Sequence, residues 1–155
     1  YDEFGNRIID ILNNPKRRDA IEARCAPLSL RDMLINQGVR QKIPIVPGEY
    51  EPVFRSVTGR EDLFVKRLMS GEKGSDPFLL SKMALMNLVN GWYAINGSLL
   101  PMHLDGGKPT EALFLSKFEA ILDYPVTLLS DLAANLTWFE RRCRRLMVVD
   151  DVKGF

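Results

Sequence analysis

Apolar residues near the end of the chain recur every three or four positions, at Val126, Leu129, Leu132, Leu136, Phe139, Cys143 and Leu146. That spacing puts them on one stripe of a single helix. It predicts a helix over about Val126–Leu146, followed by MVVDDVKGF as an extended tail. From Pro77 to about Val89 the chain is almost wholly apolar or neutral, which predicts a central helix buried on most sides. Asp76-Pro77 supplies its N-cap and a proline at the first helical position. Thr58-Gly59-Arg60-Glu61 fits a capping box and starts another helix, with Leu63, Phe64, Arg67, Leu68 and Met69 on its packed face and Ser70-Gly71 at its end. A further helix runs from Pro109 or Thr110 through Leu122, where Tyr124-Pro125 breaks it. The predicted core is Phe64, Leu68, Leu79, Met83, Met86, Leu88, Leu129, Leu136 and Phe139.

Two stretches leave the helical period. In NGWYAINGSLLPM, Asn96-Gly97 sits between short apolar runs, the signal for a two-residue hairpin turn whose central residues need positive φ. Tyr93–Ile95 and Ser98–Leu100 are therefore expected to pair. In KIPIVPGEYEPVFRSV, Lys42–Val57, two β-rich runs flank Pro47-Gly48 and predict a second hairpin. Pro44 and Pro52 lack the N–H that a central strand donates, so these are expected to be edge strands or an extended arm, able to accept a strand from another chain. The first forty residues show only short helical pieces: an apolar knot at Ile8, Ile9, Ile11 and Leu12, a segment Asp19–Cys25 ended by Ala26-Pro27, and one capped by Ser29 and Asp32 that stops at Gly38. Such an arm lies over the rest of the domain or over a neighbouring subunit. The expected fold is mainly α with two short β-hairpins, a small helical adaptor divided into an arm (1–41), a core domain (42–147) and a tail (148–155).

Composition narrows the classes. The chain has 155 residues, 46% of them apolar, enough for one domain with a real core. Lys and Arg total 21 against 20 Asp and Glu, so no global field recruits nucleic acid or an anionic membrane. The cysteines, Cys25 and Cys143, lack metal-ligand spacing and are expected to be reduced thiols of an intracellular protein. No apolar run approaches the roughly 18 residues of a membrane span, and no signal-peptide pattern opens the chain, so a soluble protein is expected. Opening on Tyr1 rather than Met fits the ordered or processed part of a longer product.

Candidate chemistry is sparse. His103 and Asp105, with Lys108 near, form an acid/base pair on paper, but without a nucleophile motif or a second His they read as surface-loop residues. Gly106-Gly107-Lys108-Pro109-Thr110 echoes a phosphate loop without its spacing, and Pro109 removes a donor. Glu61 and Asp62 read as helix-start acids, and Trp92 and Tyr93 as core anchors or interface residues. The densest charge cluster is Arg141, Arg142, Arg144 and Arg145. It either compensates a helix C-terminus or forms a socket for an acidic partner, while nucleic acid is disfavoured because aromatic interleaving is missing. No catalytic residue, cofactor or metal site is predicted. Ile45, Tyr50, Phe54 and Arg55 of the Pro-flanked ribbon join the arginines as partner-binding candidates.

From Tyr50 to about Arg145 the chain resembles bacteriophage tail proteins, namely tail assembly chaperones and the hub-associated baseplate protein of T-even-type phages. The likeness lies in a short β segment, Val53, Phe54, Arg55, Val57 and Thr58, a helix opening at Glu61, and a buried helix running into Ile95-Asn96-Gly97. The resemblance implies a non-enzymatic adaptor that binds other tail or baseplate proteins in a homo- or hetero-oligomeric ring, located in the virion tail and assembled in the host cytoplasm. A bacterial cytosolic helical adaptor is the alternative, and an enzyme using the His103 loop the remote one.

Overall fold

The structure, a computed structural model, describes residues 15–35, 38–71 and 79–153. The apolar knot at Ile8–Leu12 and the Asp76-Pro77 helix start lie outside them. Helix α1 (Pro15–Arg24) has proline at its first position, where a missing N–H costs nothing. Helix α2 (Leu30–Ile35) follows, with Ser29 Oγ accepting from the Asp32 N–H at 3.2 Å. Gly38 has φ 148°, and a Cβ there would stand 2.5 Å from Ser56 Oγ, so both its backbone and its surroundings favour glycine. Strands β1 (Arg40–Lys42) and β2 (Pro52–Arg55) then form the expected hairpin, closed by a Val46–Tyr50 bridge around Pro47-Gly48.

Helix α3 (Gly59–Met69) starts with the complete capping box at Thr58 and Glu61 and ends at Ser70. Helix α4 (Leu79–Gly91) runs straight into β3 (Trp92–Ile95), which turns through Asn96 and Gly97 into β4 (Ser98–Leu99). Both turn residues have positive φ, 49° and 83°, as the two-residue turn requires. The Asn96 side chain does more than permit the turn. Its Oδ1 accepts from the Glu51 N–H and its Nδ2 donates to the Glu49 carbonyl, both at 2.8 Å, tying one hairpin tip to the other.

The two ribbons are consequently one four-stranded antiparallel sheet in the order β1-β2-β3-β4. This corrects the edge-strand expectation for β2, while β1 does lie at the edge of the sheet. Strand β2 pairs with β1 through Gln41↔Phe54 and with β3 through Val53↔Ala94, so it is completed on both sides within this chain. Pro52 is tolerated because it opens the strand, where its carbonyl accepts from the Ile43 N–H at 2.8 Å. A register shift between Val53 and Phe54 absorbs the remaining irregularity.

A further hairpin, β5 (Leu104–Asp105) with β6 (Lys108–Pro109), turns through Gly106 and Gly107 at φ 58° and 82° in a stretch expected to be loop. Helix α5 (Glu111–Leu122) is capped by Thr110, and α6 (Val126–Lys153) follows Tyr124-Pro125. The extended tail is a second correction. Residues 147–153 continue α6, since no Gly or Pro interrupts the chain before Gly154.

Helices α4 and α6 pack closely where Gly91 meets Leu136: a Cβ on Gly91 would approach Leu136 Cδ1 to 2.6 Å. Of the expected core, Met86, Leu88, Leu129, Leu136 and Phe139 are buried, and Phe64, Leu68 and Met83 pack against them half-buried. The Leu79 side chain lies outside the described residues. Trp92, Phe54, Phe114, Ile43 and Ile121 are fully buried as well. Val126, the first residue of the apolar stripe, is exposed.

The arm described from Pro15 onward lies over this chain's own domain. Ile21 enters the core, and the Arg24 guanidinium donates to the Pro44 and Ile45 carbonyls at 3.3 and 3.4 Å. The expected boundary at 41/42 falls inside β1, and that at 147/148 inside α6. The fold is a small α+β domain.

Candidate functional site

The sequence around Thr58 places a carboxylate where three segments meet. Glu61, the third residue of α3, is fully buried. Its Oε1 accepts from the Arg55 guanidinium and from His103 Nε2, the latter at 2.8 Å. Its Oε2 accepts from Arg55 Nη2 at 3.1 Å, the Thr58 N–H at 3.0 Å and the Thr58 hydroxyl at 2.9 Å. Arg55 also donates to the Asn90 carbonyl at 2.8 Å, and Asn90 Nδ2 to the Glu61 carbonyl at 3.2 Å. The carboxylate thus links the end of β2, the start of α3 and the loop after β4, and Arg55 and the Glu61 carbonyl add the last turn of α4.

Behind His103 stands Lys117 of α5, nearly without exposure. Its ammonium donates to the Trp92 carbonyl at 2.7 Å and faces His103 Nδ1 at 3.5 Å. This geometry assigns the imidazole proton to Nε2, with Nδ1 turned to the ammonium. Burial pushes the Glu61 carboxyl up, but hydrogen bonds from His103, Arg55 and the Thr58 backbone outweigh it and hold the pKa at about 2. Burial, together with the positive charges of Lys117 and Arg55, pulls His103 below its ordinary value despite the Glu61 contact. Burial, with Arg55 adding to it, pulls Lys117 down to about 7. The result is an ionised carboxylate with its acceptor sites filled and a neutral imidazole engaged at both nitrogens.

The pairing of His103 with Asp105 and Lys108 is not assembled. His103 turns inward to Glu61, while Asp105 and Lys108 face each other across the exposed β5–β6 hairpin. Lys117 is absent from the candidates above, although the sequence carries a signal for it. Phe114, Lys117 and Ile121 share one buried face of α5, and a lysine inside such a stripe marks a buried cation. Glu61 was legible only as a cap, because its long-range partners come from β2 and the loop after β4.

An open cavity of about 740 Å³ lies beside this network. Arg55, His103 and Lys117 lie on its polar lining together with Asp32 and Ser56, and Arg40 and Tyr93 stand beside them. The Arg40 guanidinium stacks 4.7 Å above the Tyr93 ring.

The ribbon residues proposed as partner contacts go elsewhere. Ile45, Tyr50 and Phe54 are buried at 3%, 9% and 0% exposure. Once β3 pairs with β2, its inward face meets α6, with Phe54 and Phe139 centroids 6.0 Å apart. These residues are core, and Arg55 is the Glu61 partner. Tyr50 donates its hydroxyl to Asp131 Oδ2 at 2.6 Å, and Asn135 donates to the same oxygen at 2.9 Å. Asp131 Oδ1 is buried without a partner in the described structure. Burial raises the Asp131 pKa to about 6 against the opposing effect of Tyr50 and Asn135, and burial also pushes the Tyr50 hydroxyl well up.

The arginine cluster divides. Arg142 bonds Gln41 Oε1 and Glu22, the latter at 3.4 Å, and lies over the Trp138 ring, while Arg145 reaches Glu22 at 3.2 Å. These two tie α6 to α1 and β1. Arg141 and Arg144 are exposed. Because α6 runs on to Lys153, the cluster is not at a helix C-terminus, and dipole compensation does not account for it. Cys25 and Cys143 are free thiols, both raised by burial, Cys143 to about 11.

Among the described residues no group of three or more His, Cys, Asp or Glu converges as a metal would require, and no helix is long and apolar enough to cross a membrane. No family model, curated protein or solved structure matches the chain.

Proposed function

We propose that this protein is a non-enzymatic structural or assembly component of a bacteriophage tail, a small helical baseplate or hub adaptor or a tail assembly chaperone. It acts through contacts with other tail proteins in an oligomeric ring. The observation that carries the reading is the connectivity of the residues that resemble such proteins. Arg55 and Thr58 both bond Glu61, and the Asn96 turn is tied to Glu51 and Glu49 just ahead of Val53 and Phe54. Residues dispersed in sequence therefore form one unit around β2 and β3. The saturated Glu61–His103 pair supports a structural use of the one histidine. The exposed Arg141 and Arg144 remain candidate contacts for an acidic neighbour, worth less than about 1 kcal/mol each if they stay solvated.

The test is a nonsense mutation in the gene within the phage genome that carries it, with tail tube, tape-measure and lysozyme-like genes expected as its neighbours. Electron microscopy of the lysate should show heads without functional tails, restored when the wild-type protein is supplied. Tailed, infectious particles in its absence would overturn the assignment and move it to a bacterial cytosolic adaptor.

A further inference from the structure

Buried lysines are rare unless a carboxylate accompanies them. Lys117, at 2% exposure, has hydrogen-bond partners in the Trp92 carbonyl and His103 Nδ1, neither of them an anion. Glu61, the nearby carboxylate, is already taken by Arg55, His103 and Thr58. An ammonium has three N–H donors, so one remains for a group entering the cavity that Lys117 lines. Arg40 lines the same cavity and sits opposite Arg55 in the β1–β2 register. Like charges opposite each other in a sheet are unfavourable. Arg55 relieves this by turning to Glu61, which leaves Arg40 stacked on Tyr93 beside the opening.

With Lys117 protonated, Arg40, Arg55 and Lys117 face Asp32 and the buried Glu61 across this region, a balance of one positive charge that falls away as pH rises through about 7. That balance suits a monoanion and is overcompensated by a dianionic phosphate. Leu100, Pro101 and Met102 add an apolar wall, with Met102 half exposed. We propose that the cavity is a carboxylate-binding site, in which Lys117 and Arg40 hold the carboxylate and the apolar remainder of the ligand lies against Pro101 and Met102. The carboxylate comes either from a free organic acid or from an acidic side chain of a partner protein. The site stands on its lining and does not depend on the tail assignment.

Titration calorimetry on the full chain, using propionate, propionamide, inorganic phosphate and a terminally blocked peptide with a single Glu or Gln, tests this. Propionate and the Glu peptide should bind and displace one another, while the two amides bind at least about tenfold more weakly. Arg40→Gln, at an exposed position, should weaken both acids several-fold, Lys117→Met should abolish binding, and the remote Arg141→Gln should change nothing. A Glu peptide about tenfold tighter than propionate assigns the site to a partner protein, and equal affinity assigns it to a free acid. Absence of saturation by either acid, tighter binding of phosphate, or affinity unaltered in folded Arg40→Gln would overturn the proposal.

Discussion

Two buried carboxylates of this protein have opposite fates. Glu61 and Asp131 are both almost inaccessible, and burial pushes both pKa values up. Glu61 nonetheless ends at about 2 and Asp131 at about 6. The difference lies in their donors. Glu61 receives a guanidinium, an imidazole, a backbone N–H and a hydroxyl spread over both oxygens. Asp131 receives Tyr50 and Asn135 on one oxygen and leaves the other unpartnered. Desolvation sets the cost of a buried charge, and the supply of donors decides whether it is overcome.

Glu61→Ala should have the largest effect. It leaves the Arg55 guanidinium and the buried His103 without their carboxylate acceptor, so unfolding free energy should fall by about 3–5 kcal/mol at pH 7, as when one partner of a buried pair is removed. Denaturant unfolding measures it. A loss below about 1 kcal/mol would break the comparison, because Glu61 would then be no better placed than a surface ion.

The pH dependence should divide the two sites next. For Glu61, folded at about 2 against an ordinary 4.5, stabilisation is present above pH 4.5 and lost as pH falls toward 2. For Asp131, folded at about 6 against an ordinary 3.8, the sign reverses. The folded state holds the proton more tightly between these values, so stability falls as pH rises through that window, by about 3 kcal/mol at most. Asp131→Asn should remove this fall while leaving the acid limb of Glu61. An unchanged slope between pH 4 and 6 in the variant, followed by thermal unfolding, would show that Asp131 is ionised throughout.

Thr58→Ala should have the smallest effect, about 1 kcal/mol, the ordinary loss of an N-cap. The Thr58 backbone N–H still reaches Glu61 in that variant, and Arg55 and His103 keep the charge satisfied. A loss as large as that of Glu61→Ala would mean that the cap, rather than the cations, holds the carboxylate.

Local chemistry made much of the fold legible. The Thr58 capping box, the Asn96-Gly97 turn, the Tyr124-Pro125 break and the Leu129–Leu132–Leu136–Phe139 stripe each act within a few residues, and each appears in the structure as expected. The candidate site was far less legible. The sequence pattern marks no role for Lys117, gives Glu61 a cap alone, and puts His103 on the surface with Asp105. These side chains lie far apart in sequence, and no local pattern records which of them will meet.

Pairing across the sheet belongs to the tertiary structure for the same reason. Pro44 and Pro52 correctly limit which N–H groups can donate, but whether β2 is an edge depends on β3 arriving beside it after helices α3 and α4 have intervened. That arrival turned Ile45, Tyr50 and Phe54 from presumed contacts into core. Turns, caps and helical stripes followed from neighbours along the chain, because their hydrogen bonds and periodicities are short-range. Strand order, buried charge pairing and the direction of each carboxyl's pKa shift came from segments brought together only by folding, because desolvation and donor supply depend on everything that closes around a group.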